Sequence, residues 1–112
     1  MLNRKHRIGN KRLIEALFDR SKIIKNHFLI FKYADSEAGP SQFAVIVSKK
    51  IYKKANDRNR LRRQIHEALR LNLPSLDKNI KALVIAKSAI SDKKAGFHEI
   101  NDCVKNFFNN IE

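Results

Sequence analysis

The stretch that most constrains this chain lies between residues 57 and 72, where an apolar stripe and a cationic stripe share one helical period. Leu61, Ile65, Ala68 and Leu69 recur at i, i+4, i+7 and i+8, the spacing of a single helix face. At about 100° per residue, Asn59, Arg62, Arg63, His66 and Arg70 fall on the opposite side, with Arg60 on the flank. A helix of this kind must lay one side on a core and leave the other outside. Asn56 or Asp57 is placed to cap its start, and Pro74 prevents its continuation. Short apolar runs at residues 43–48 and 80–86 bracket it and read as strands.

The remaining elements follow from the same kind of pattern. Leu13, Ile14, Leu17 and Phe18 sit at helical spacing within residues 11–20. Residues 28–33 are aromatic and β-branched enough for a strand, with Leu29, Phe31 and Tyr33 on one face and Phe28, Ile30 and Lys32 on the other. A shorter strand fits near residues 22–25. Asp35, Ser36, Gly39 and Pro40 mark residues 34–42 as a hairpin-type loop. The last helix is expected over residues 97–111, with Phe97, Ile100, Val104, Phe107, Phe108 and Ile111 on one face. The order is α-β-β-β-α-β-α, a mixed α/β (α+β) sandwich in which helices cover a small sheet. With no repeat or linker in view, residues 1–112 are expected to form a single domain.

Charge limits what such a domain can bind. Lys and Arg total 24 against 11 for Asp and Glu, a formal net charge of +13. The excess is densest where Lys49, Lys50, Lys53, Lys54, Arg58, Arg60, Arg62, Arg63 and Arg70 face only Asp57 and Glu67. A solvated basic face is the structural alternative, but charge this lopsided is self-repelling without a partner, which favours a polyanion. RNA, DNA and an anionic membrane surface all qualify. Arginine suits phosphate in particular, because its planar fork donates two parallel hydrogen bonds. A helix start near Arg58 and Asn59 adds backbone N–H donors.

Other function classes find less support. No apolar run approaches the roughly 20 residues that span a bilayer. The basic residues after Met1 are not followed by an uninterrupted apolar segment, so a secretory signal is not expected. Cys103 is the sole cysteine, which excludes an intrachain disulfide and fits a reducing cytoplasm. His6, His27, His66 and His98 have no metal-ligand spacing with Cys103 or one another, so no protein metal site is expected. His66-Glu67 and His98-Glu99 do not extend to a zincin pattern. Glu15 with Asp19, and Glu99 with Asp102, read as solvated carboxylates that complement nearby lysines. No catalytic constellation is expected in this chain.

The basic helix also carries a recognisable signature. Lys54-Ala55-Asn56-Asp57-Arg58-Asn59-Arg60-Leu61-Arg62-Arg63 resembles the RNR motif of the bacterial ribonuclease P protein family. Phe43-Ala44-Val45-Ile46-Val47-Ser48-Lys49-Lys50 resembles that family's apolar strand ending in Ser-Lys-Lys. The basic N-terminal run, the first helix, the aromatic strand and the strand after the signature helix fall in the family's order, so the resemblance covers nearly the whole chain. It implies an α/β domain with a left-handed β-α-β crossover around the signature helix, against the usual hand. It also implies the accessory role in an endoribonuclease that removes the 5′ leader of precursor tRNA. There a catalytic RNA and its bound Mg2+ carry out the hydrolysis, and the protein supplies no catalytic residue. The partners so implied are that RNA and precursor tRNA, with no obligate protein partner.

Carried over position by position, Arg58, Asn59, Arg60, Arg62 and Arg63 match the RNA-contacting motif. Lys49, Lys50, Lys53, Lys54, His66 and Arg70 extend the same surface. The family often has another arginine where this chain has His66. The resemblance further implies a cleft between the first helix and the sheet that receives the single-stranded leader, matched here by Ile14, Phe18 and Phe31 with Lys50 nearby. Phe18 can stack on a base, whereas Ile14 offers only apolar contact. An aromatic on a strand such as Phe31 is, without the resemblance, a core residue. Three other classes are weighed against this one. A general RNA-binding protein would lack leader-dependent affinity. A DNA reader would prefer duplex DNA to structured RNA, and a protein-only nuclease would need an acid cluster.

Overall fold

The computed structural model describes residues 2–19, 21–36 and 39–111. A four-stranded sheet is built from β1 (Lys22–Lys25), β2 (Leu29–Asp35), β3 (Gln42–Ile46) and β4 (Ile80–Ala86), in the spatial order β1-β2-β4-β3. β2 pairs antiparallel with both β1 and β4, whereas β3 pairs parallel with β4. A parallel neighbour cannot be reached by a tight turn. The connection is made by α2 (Ala55–Asn72), the two-sided helix. α1 (Lys11–Asp19), the short α3 (Ala89–Asp92) and α4 (Phe97–Asn109) complete the main elements.

Strand alternation sorts the sheet into two faces. Leu29, Phe31 and Tyr33 of β2, Ile80, Ala82, Val84 and Ala86 of β4, and Phe43 of β3 are buried in one cluster with Leu61, Ile65, Ala68 and Leu69 of α2. Ile100, Val104, Phe107 and Phe108 of α4 close that cluster. The Phe31 and Phe107 rings stack at 4.0 Å between centroids, and Tyr33 meets Phe107 edge-on at 5.4 Å. α2 and α4 are also tied by a polar contact: the buried Asn72 donates through Nδ2 to the Ala68 carbonyl and to Asn101 Oδ1, both at 2.7 Å. The other face carries Ile30 and Lys32 of β2, opposite Ile85 and Leu83 of β4. α1 lies against β2 and β4 there, and its Leu17 and the strand's Leu83 are buried outside the main cluster.

The expected seven elements are present in order, with the short α3 added and with several ends displaced, among them β3, which covers Gln42–Ile46 and not residues 43–48. α2 begins at Ala55, ahead of both expected capping residues, and no side chain caps Lys54 at its start. Asp57 therefore sits inside the first turn, where its charge still complements the helix N-terminus. β2 continues through Ala34 and Asp35, because both pair with β4 and Asp35 meets Lys78 Nζ at 2.9 Å. α4 ends at Asn109, short of Ile111, and its start is held by Glu99, whose carboxylate accepts the Gly96 N–H at 2.9 Å.

Residues 2–8, ahead of α1, are held in place. Ile8 donates its N–H to the Phe43 carbonyl at 2.9 Å, and Arg7 forms an isolated parallel bridge with Phe43. Gln42 Nε2 donates to the Lys5 carbonyl at 3.3 Å, and His6 Nδ1 lies 2.7 Å from the Ser41 carbonyl. Leu2 is buried in the main core. This strap covers the outer edge of β3, whose backbone groups would otherwise be unpaired.

Candidate nucleic-acid interface

The turn that delivers α2 explains why its lysines face outward. Val47 and Ile51 are buried, and the Ile51 N–H bonds back to the Ser48 carbonyl at 3.1 Å. That anchoring leaves Lys49 and Lys50 exposed at the turn, with Lys53 and Lys54 exposed beyond it. Arg58 then fastens the turn to the helix. Its Nη1 donates to the carbonyls of Tyr52 at 3.1 Å and Lys53 at 2.7 Å. Part of this guanidinium is thus committed to the protein, and Arg58 positions the lysine turn as well as adding charge.

Further along, the outer side of α2 forms an open groove of about 480 Å³ lined by Asn56, Asn59, Arg62, Arg63 and His66. Arg62 Nη1 donates to Asn59 Oδ1 at 2.7 Å, which orients that guanidinium across the groove. Arg60 leaves along the flank, pairs with Asp57 at 3.3 Å, and borders a second hollow with Tyr52, Gln64 and Lys94. Arg70 turns to Glu67, and the arginine beside it holds the Glu67 carboxyl down at about 2. His66 is half-buried with its Nδ1 enclosed and without a hydrogen-bond partner among the described residues. Burial, followed by the positive charges of Arg7 and Arg62, lowers its proton affinity below the ordinary imidazole value. The groove supplies guanidinium, amide and imidazole groups and no carboxylate. That set fits phosphate oxygens and does not fit Mg2+, which takes oxygen ligands. Among the described residues no three His, Cys, Asp or Glu side chains cluster to hold a metal.

The second expected site divides. Phe18 is 43% exposed on α1, and Lys32 Nζ stands 4.9 Å from the centre of its ring. Ile14 is half-buried on the same helix. Phe31 does not join them. It is fully buried and stacked on Phe107 on the α4 side, because neighbours along a strand point to opposite faces. The β2 residues on the α1 side are Ile30 and Lys32, so Lys32 replaces Phe31 beside Phe18. The alternation that groups Ile30 with Lys32 is the sequence signal for this exchange. One further residue, Asn56, lines the α2 groove; the sequence places it within the signature and as a helix cap, not as a binding residue. Arg7, on the strap bridged to Phe43, does not line this groove, although its charge acts on His66.

Known proteins match this arrangement along nearly its whole length. The Ribonuclease P family model matches residues 2–112. The ribonuclease P protein component of Synechococcus sp. (strain JA-2-3B'a(2-13)) is 34% identical over 92 residues, covering 79% of this chain and 69% of the relative. That of Coxiella burnetii (strain Dugway 5J108-111) is 32% identical over 96 residues, covering 83% of this chain and 74% of the relative. In fold, the RNase P protein from Thermotoga maritima superposes with a TM-score of 0.85 at 23% identity, covering 95% of this chain and 97% of that one. The Staphylococcus aureus RNase P protein gives 0.77 at 20% identity, covering 90% of each chain. The signature helix, the fold and the relatives agree, and this chain belongs to the ribonuclease P protein family, the accessory protein subunit of the endoribonuclease that forms tRNA 5′ ends.

Proposed function

We propose that the outer face of α2 and the lysine turn before it dock on the catalytic RNA, in the cytoplasm, while the cleft between α1 and the sheet holds the 5′ leader of precursor tRNA. The observation that carries this is the groove of Asn56, Asn59, Arg62, Arg63 and His66, which gathers phosphate-binding donors on the one side of α2 not used for packing. Docking neutralises RNA phosphates and so lowers the concentration of Mg2+ needed to fold and load the RNA. Mg2+ held by the RNA supplies the hydrolytic chemistry. The protein's part is to bind, orient and discriminate. Phe18 offers an aromatic face to a splayed base and Lys32 a charge to the adjacent phosphate. Mature tRNA lacks the leader, so binding energy from this cleft favours precursor over product.

Reconstitution tests both halves. The protein with its cognate RNA restores precursor cleavage at low Mg2+, and the protein alone cleaves nothing. Arg62→Ala combined with Arg63→Ala lowers the log–log salt slope of RNA binding by about one for each phosphate that the two arginines engage. A wild-type slope would remove this face from the interface, and failure to rescue cleavage at low Mg2+ would sink the assignment.

A further inference from the structure

We infer that the hollow between α2 and the turn joining α3 to α4 takes one unpaired base of the catalytic RNA, so that this flank reads RNA sequence where the outer face of α2 holds phosphates. The inference rests on the docking of α2 on that RNA and adds a site of different chemistry beside it. The hollow, of about 490 Å³, is lined by Asp57, Arg60 and Gln64 of α2, by Tyr52 of the preceding turn, and across from them by Ser91 and Lys94. Arg60 and Gln64 also line an adjoining hollow that includes Phe97, so each side of this pair has its own aromatic residue. Tyr52 and Phe97 pack partly on the core and keep part of each side chain accessible.

The groove around His66 offers donors without an acid, as a phosphate requires. Here a carboxylate and an amide accompany a phenol, a hydroxyl and two cations. The edge of a base carries both donors and acceptors, and its face stacks on aromatic rings and guanidinium planes, so this mixture suits a base, while the carboxylate disfavours a bare phosphate. Gln64 is half-buried, and its amide makes no hydrogen bond to another described residue, which leaves a donor and an acceptor for a base edge. Lys94 adds a second, independent sign. Ala95 donates its N–H to the Ile90 carbonyl at 3.0 Å and Lys94 donates its own to the Ser91 carbonyl at 3.3 Å, the bond pair of a helix end whose penultimate residue is left-handed. Glycine fills that position at least cost, yet Lys94 stands there with φ at 50°, the one non-glycine residue of positive φ among the described residues. The strained backbone brings an exposed ammonium group to the rim, which a nucleotide's phosphate uses and core packing does not.

Gln64→Ala and Lys94→Gly in the full-length protein separate this site from folding and from general charge, with a transcript of the cognate ribonuclease P RNA alone as the probe. Gln64→Ala should weaken binding several-fold at a wild-type salt slope, since a neutral contact to a base releases no counterion. Lys94→Gly should weaken binding and lower the log–log slope by about one, while its urea midpoint stays at or above that of the wild type, because glycine relaxes the turn. In base-specific chemical probing, an unpaired base shielded by the wild-type protein should regain reactivity with Gln64→Ala. Wild-type affinity in both variants, beside a lowered slope in Arg62→Ala with Arg63→Ala, overturns the inference and leaves α2 docking intact. A wild-type slope in that arginine pair overturns docking itself. Weaker binding with no base regaining reactivity assigns the hollow to the RNA backbone and overturns the inference. An effect seen only once precursor tRNA is added overturns it too, in favour of the leader.

Discussion

His66 stands among cations with one ring nitrogen shut inside the protein, and this determines how it responds to pH. Its proton affinity lies below the ordinary value of 6.5, through burial first and then through Arg7 and Arg62. The unfolded chain therefore binds a proton at this residue more readily than the folded protein does. Stability is fully present above about pH 6.5 and declines as pH falls from there through the lower folded value. RNA acts in the opposite direction, since a phosphate beside the ring favours its charged form. Urea midpoints of the free protein are expected to drop as pH is lowered from neutrality through the ordinary imidazole range, and His66→Gln should flatten that part of the curve. The same variant should remove a gain in RNA affinity on acidification. A wild-type pH profile in His66→Gln would show that other groups carry the effect. Arg70 and Glu67 illustrate the contrary case. Their pairing keeps Glu67 ionised to about pH 2, but Arg70 is exposed and Glu67 only partly covered, so water and salt screen the pair and it adds little to stability.

At the level of elements, β2 separates what packs from what binds. Phe31 and Tyr33 enter the core against Phe107, while Lys32, between them in sequence, stands over Phe18 on the other face. Phe107→Ala would leave a cavity beneath the sheet and is expected to cost roughly 3–5 kcal/mol, read as a lower urea midpoint. Phe18→Ala, at a partly exposed site, should cost less than about 1 kcal/mol of stability. It should nevertheless reduce the preference for precursor over mature tRNA by about 5-fold or more, as the loss of one stacked base implies. An unchanged preference would move the leader away from this cleft. The division is half legible in the sequence. The period of two assigns Phe31 and Lys32 to opposite faces, and the stripes of α2 and α4 mark both helices as core-packing. Which face of β2 each helix covers is not written there, because both faces carry apolar residues and layer order is set by long-range packing. The start of α2 is displaced from its expected place because Asn56 and Asp57 are good caps in isolation. In the fold, Lys54 adopts an extended backbone and Arg58 ties the turn to the helix in their place.

The whole molecule is a two-layer core inside a strongly cationic shell, and the shell's cost depends on what occupies it. A formal net charge of +13 repels itself in the free protein, and the α2 groove concentrates part of that repulsion where no carboxylate faces it. An anion that binds the folded groove and ignores the unfolded chain must stabilise the fold, by about 2.7 kcal/mol at a hundred times its dissociation constant. General screening also relieves repulsion, but it depends on ionic strength and not on the identity of the anion. The two are separable by calorimetry at fixed ionic strength, with about 10 mM inorganic phosphate in place of chloride, too dilute for bulk solvent effects to dominate. Phosphate is expected to raise the melting temperature by several degrees, since about 1 kcal/mol corresponds to roughly 4–8 °C in a domain near this size. The rise should shrink in Arg62→Ala with Arg63→Ala. Equal gains in phosphate and chloride, or an undiminished gain in the double variant, would mean that the charge is relieved diffusely. A gain that vanishes with these two arginines would place the strain of the free protein in the groove and identify phosphate as what relieves it.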